Sequence, residues 1–184
     1  MNKTSMDYQA VIDFWFEEID QKKWWIKDEA FDELVRQRFL AVHQQAKAGE
    51  LFEWRKTAAG RLAEIIVLDQ FSRNMFRDSA MAFAQDALAL VLAQEAVSLG
   101  MDKTLPMQQR SFLYMPFMHS ESLKIHEVAV GLFGQDGMEG NLDFELKHKV
   151  IIENFGRYPH RNSILGRQST PAEVEFLKQP NSSF

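Results

Sequence analysis

Residues 61–77 read RLAEIIVLDQFSRNMFR. Wound as an α-helix, the stretch sets Leu62, Ile65, Ile66 and Asp69 on one face, at i, i+3, i+4 and i+7. No alternation of apolar and polar residues competes with that period, so the segment predicts a helix over about Ala59–Ser72. Asp69 continues the apolar stripe inward, where an unpaired carboxylate is costly. Arg73 stands four residues on, within reach of an ion pair along the helix. Two readings of this pair stay open. It is a buried brace, or it borders a cavity that presents Arg73, Asn74 and Arg77 to a ligand.

The same period extends in both directions. A first helix is expected over about Tyr8–Ile19, with Val11, Ile12, Trp15 and Phe16 on one face and Phe14 at its margin. Asp28 is a good N-cap for a second, about Glu29–Ala48, which Gly49 stops. Its stripe is Phe31, Leu34, Val35, Arg38, Phe39 and Val42. Further helices are expected near Ala80–Leu99, Pro106–His119, Glu121–Phe133 and Leu142–Phe155. A last one begins at a capping box, with Thr170 as N-cap, Pro171 in the first turn and Glu173 three residues on. About eight helices joined by short loops predict an all-α fold of antiparallel neighbours, as a bundle or as stacked pairs. No repeat near the roughly 34 residues of a tetratricopeptide array is legible. The stretch Gln135–Asn141 is too short to mark a boundary, so residues 1–184 read as one domain.

Composition narrows the function classes. A chain of 184 residues buries roughly 70% of its unfolded surface and needs no cross-link to fold. Zero cysteines exclude disulfides, thiolate metal sites and a cysteine nucleophile. The start, MNKTSMDYQAVIDFW, has no secretory pattern. No apolar run reaches the roughly 20 residues of a bilayer span, so a cytoplasmic protein without a membrane partner is expected. The balance of 26 acids against 21 basic residues gives a net charge of −5, which disfavours a nucleic-acid polymer as partner. Fifteen Phe and four Trp predict a well-filled core. Trp24 and Trp25 either flank a pocket or wrap the edge of that core, and packing is the favoured reading.

Two more segments differ from ordinary helix surface. Residues 112–127 read FLYMPFMHSESLKIHE. Pro116 predicts a kink or an end to the helix, with His119 at the break and Ser120 and Glu121 as N-cap and first-turn acid of the next. His119, Ser122 and His126 share a face if the helix continues. Residues 154–167, NFGRYPHRNSILGR, gather Arg157, His160, Arg161, Asn162 and Arg167 on a loop marked by Gly156, Pro159 and Gly166. Arginines hold carboxylate and phosphate in bidentate fashion. The anion is an external ligand or one of the protein's own acids, Asp69 or Glu121 for example. No metal site is expected, because no third and fourth ligand follow the histidines at a diagnostic spacing, and no cofactor is implied.

The polar motifs, with VIDFWF and WWIKDEAFD near the start and QSTPAE after the loop, resemble the bacterial family known as domain of unknown function 924. The likeness spans about residues 11–173. It departs at Ser72, where the family often has proline, and at Glu64, where it has an apolar residue. Glu64 is expected to face solvent. The resemblance implies a tetratricopeptide-like α-superhelix of stacked helix pairs, and it supplies no activity.

Three functions follow as expectations. The first is a binding module that holds a small anionic ligand or an acidic peptide in one concavity, with Arg73, Asn74, Arg77, Arg157, Arg161 and Asn162 on the ligand. The second is a metal-independent hydrolase or transferase, with His119 or His160 as general base, Asp69 or Glu121 orienting it, and arginines stabilising charge. The third is an adaptor whose polar cluster is structural.

Overall fold

The computed structural model describes residues 6–180, 182 and 183. All regular structure among them is helical. The α-helices are α1 (Tyr8–Asp13), α2 (Glu29–Lys47), α3 (Ala58–Leu68), α4 (Gln70–Met75), α5 (Asp86–Ser98), α6 (Met107–Met118), α7 (Leu123–Phe133), α8 (Glu139–Phe155) and α9 (Pro171–Phe176). With α3 and α4 taken as the one helix expected from sequence, eight α-helices stand among the described residues.

Contacts gather in two compact units. One comprises the described part of Met1–Arg77 with Met81–Pro116, the other Asp78–Ala80 with the described part of Phe117–Phe184. In the first unit α3 is central. Every residue from Gly60 to Leu68 is buried, as befits a helix packed on all sides, and α1, α2 and α5 lie against it. Its start is capped by Thr57, whose hydroxyl accepts from Gly60 N at 3.0 Å. In the second unit α7 packs on α8. There Ile151, Ile152 and Tyr158 form a buried group against Phe155 and Phe176.

Several expectations need correction. The first helix does not stay α to Ile19: a π turn, Phe14–Glu18, follows α1. Phe14, Trp15 and Phe16 are all buried, and the wider turn lets three consecutive large rings face the core. Leu34 is exposed, and Arg38 turns outward to pair with Glu18. Trp24 packs its ring on Phe112 at 4.8 Å, whereas Trp25 is 64% exposed.

By length and composition Ala80–Ser98 could cross a membrane, which the sequence reading did not foresee. Its α-helical part, however, is the 13 residues of α5, about 20 Å long against a hydrocarbon core of roughly 30 Å.

Candidate functional site

In the first unit, α4 and the turn after it carry Arg73, Asn74 and Arg77. Arg73 Nη1 donates to Asp69 Oδ1 at 2.9 Å and to Asp86 Oδ1 at 2.9 Å, and its Nη2 reaches Asp86 Oδ2 at 3.1 Å. Asp69 is buried, and its other oxygen accepts from Gln70 Nε2 at 2.7 Å. Asp32, buried on α2, receives Asn74 Nδ2 at 2.8 Å and both Nε and Nη2 of Arg77 at 2.5 and 2.8 Å. These acids draw the three predicted ligand-binding side chains back onto their own unit.

The second unit is organised around Tyr158. The helix ahead of it, α6, ends two residues past Pro116, and α7 opens only at Leu123 with Ser122 as N-cap. The helix is therefore discontinuous, and His119, Ser122 and His126 share no helical face. Ser120 is not the N-cap; its hydroxyl accepts from Ser122 N at 3.2 Å. Glu121 lies outside the helix. Its Oε1 accepts the Tyr158 N–H at 2.8 Å, and both oxygens take Arg167 at 2.7 and 2.9 Å.

Arg157 makes the same kind of fork with Glu173, at 2.7 and 2.9 Å, and adds a bond to the Gln168 carbonyl at 2.9 Å. Asn162 donates to Glu173 at 3.2 Å and accepts from Arg167 Nε at 3.0 Å. Arg161 is buried. It donates to the His119 carbonyl at 3.1 Å and holds its guanidinium carbon 4.7 Å from the Tyr158 ring centre.

Three histidines surround the same ring, with His126, His148 and His160 centred 6.3, 5.8 and 5.6 Å away. Behind it His126 and Glu145, both fully buried, meet at 2.7 Å between Nδ1 and Oε1. His119 and His160 are half-buried.

The model of a family described as bacterial proteins of unknown function, DUF924, matches residues 11–181. The chain belongs to this family. A solved structure of a protein of unknown function from Agrobacterium tumefaciens is 38% identical to this DUF924 chain, covering 93% of it and 96% of the other, with a TM-score of 0.87. No curated protein matches the sequence.

The site residues of this DUF924 protein thus fall into two groups. Asp69, Arg73, Asn74 and Arg77 belong to the first unit. His119, Glu121, Arg157, His160, Arg161 and Asn162 belong to the second. No cluster of three or more metal-ligating side chains occurs among the described residues.

Sequence reasoning missed Asp32, Asp86, Glu145, His148 and Tyr158. For Glu145 and His148 a signal existed. They stand at i and i+3 ahead of Ile152 at i+7, so polar residues continue an apolar stripe, as Asp69 does. Asp32 and Asp86 gave none, since their partners are fixed only by packing between helices.

Glu64 is corrected as well. It is fully buried, and Arg55 from the 3-10 turn Phe52–Lys56 brings Nε and Nη2 to its two oxygens, each at 2.7 Å. A charge on an inner face was foreseen for Asp69 but not here, because the partner comes from a separate turn.

The electrostatics follow the packing. Burial works against the Glu121 charge, but Arg167 and the Tyr158 N–H outweigh it and hold its carboxyl below the ordinary range. Arg157, against the cost of burial, carries Glu173 down to about 2. Burial pushes Glu145 up, against the pull of His126 and Lys149. It drives His148 down to about 3. Because His148 Nδ1 lies 2.7 Å from the Phe144 carbonyl, that nitrogen carries the proton of the neutral ring.

Proposed function

We propose that this protein is a non-catalytic helical adaptor, in which inward polar side chains hold each unit's helices in register while a protein partner binds the outer surface. The pairing of the arginines carries this reading. Arg73, Arg77, Arg157 and Arg167 each meet an aspartate or glutamate of their own unit, and guanidiniums committed to carboxylates leave an external anion less to bind. The His126–Glu145 pair supports it too, since a general base has to reach its substrate and this pair is sealed. Stacked helix pairs of the tetratricopeptide-like kind suit partner binding, and a cytoplasmic location belongs to the same proposal.

A second reading rests on His119 and His160. Both are half-buried beside Arg161, which suits a small phosphate- or carboxylate-bearing ligand. A thermal-shift screen of the full chain against phosphorylated metabolites, nucleotides and acidic peptides separates the two. A ligand at 100 times its Kd adds about 2.7 kcal/mol of stability. The adaptor reading expects no such shift, together with a loss of about 2 kcal/mol for Asp69→Asn, moderated because Arg73 keeps Asp86. A shift that His160→Gln abolishes would overturn it in favour of the anion site.

A further inference from the structure

The His126–Glu145 pair on α7 and α8 is fully buried, and its hydrogens can be counted. The Tyr158 hydroxyl lies 2.5 Å from the Met118 carbonyl, which can only accept, so the single phenolic proton points there. His126 Nε2 lies 2.8 Å from the Ser120 carbonyl and 3.2 Å from that same phenolic oxygen. Both partners are now acceptors, and Nε2 therefore carries a proton. On the other side of the ring, Nδ1 and Glu145 Oε1 at 2.7 Å also need a proton between them. The proton count is the same whether that last hydrogen sits on nitrogen or on oxygen.

Glu145 Oε2 decides where it rests. This oxygen is buried and meets no donor among the described residues. A carboxylate with one oxygen bare in an apolar interior is costly, whereas a carboxylic acid that donates through Oε1 leaves Oε2 a weaker, carbonyl-like acceptor. The direction of the Glu145 shift agrees, burial favouring its neutral form.

We propose that His126 and Glu145 trap one shared proton, held on Glu145, and that this makes the folding of the second unit pH-sensitive above neutrality. The proposal is independent of the adaptor reading. The ordinary values are 4.5 for a glutamate and 6.5 for a histidine. Between them the unfolded chain also holds one proton on this pair, so the contribution is flat. Above 6.5 the unfolded pair releases its proton while the folded pair keeps it, and stability falls as pH rises. Below 4.5 the unfolded pair takes up a second proton, and stability falls again.

The neighbouring charged groups have other assignments. His148 is neutral with Nδ1–H on the Phe144 carbonyl. Lys149 pairs with Glu153, Glu121 with Arg167, and Arg161 lies over the Tyr158 ring. His119 and His160 are half-buried on the turn after α6 and on the C-terminal loop. None of these supplies the hydrogen between Nδ1 and Oε1.

The test is urea unfolding of the full chain at pH 6.5 to 8.5, with Glu145→Gln beside the natural protein. One released proton makes the unfolding constant grow about tenfold per pH unit. Glutamine keeps an N–H donor toward Nδ1 and cannot titrate, so the variant is expected to lose that slope. An unchanged slope in Glu145→Gln overturns the proposal. If the variant does not fold, nitrogen NMR of the His126 ring in the natural protein gives the answer. Resonances constant from pH 5.5 to 8 and typical of a neutral Nε2–H ring support the trapped proton, and a titration midpoint near 6.5 overturns it.

Discussion

The Ser72 hydroxyl is fully buried between two groups, the Leu68 carbonyl at 2.6 Å and His43 Nε2 at 2.8 Å. The carbonyl can only accept, so the hydroxyl proton goes there and His43 donates Nε2–H to the serine oxygen. That fixes the tautomer of a buried histidine, whose pKa is lowered by burial and by Lys47. Ser72→Ala removes the acceptor of that N–H and leaves a buried polar group stranded, at a cost of about 1–3 kcal/mol. Equilibrium denaturation of the two proteins measures this directly. A change within about 0.5 kcal/mol, the usual range for an uninvolved surface site, would mean that the bond contributes nothing. Glu64 makes the related point about legibility. Its inward orientation could not be read from the helix period alone, because the acid becomes affordable only once Arg55 arrives from the preceding turn.

At the scale of elements, the start of α3 depends on close approach. A methyl group on Gly60 would collide with the Trp54 backbone carbonyl, an atom that cannot rotate away. Gly60→Ala is therefore expected to push the 3-10 turn Phe52–Lys56 off α3 and to cost about 3 kcal/mol, against the small gain that alanine brings to an unstrained helix. A neutral or stabilising result in thermal denaturation would show that the turn yields freely. The C-terminal helix is the opposite case, because its start was readable residue by residue. Thr170 Oγ1 accepts from Glu173 N at 3.2 Å, and Glu173 Oε2 accepts from Thr170 N at 2.7 Å. Thr170→Ala should cost about 1 kcal/mol. Glu173→Gln should cost more, since that carboxylate also receives Arg157 and Asn162. If the two variants prove equal in a denaturant titration, Glu173 acts as a cap and no more.

For the molecule as a whole, the sequence yields its helices and misses what ties them together. Local pairs such as Asp69 with Arg73 and Thr170 with Glu173 lie three or four residues apart, where the helix period alone makes them neighbours. Asp32 with Arg77, or His126 with Glu145, are joined only when helices pack, and no spacing rule foretells them. The buried histidines show what this costs the fold in acid. His148 in the second unit stays neutral down to about 3, while an unfolded histidine takes up its proton near 6.5. A base whose folded pKa is depressed adds stability above its unfolded value and loses it as pH falls toward the folded one. The second unit should therefore weaken by about tenfold in its opening constant per pH unit below 6.5, the reverse of the trend that the trapped proton sets above it. Hydrogen exchange at the amides of α8 reads that constant. His148→Asn keeps a side-chain N–H near the Phe144 carbonyl but has no proton to gain, so it should flatten the exchange profile between pH 6.5 and 4.5. An acid slope as steep in His148→Asn as in the natural protein would place the sensitivity on another group.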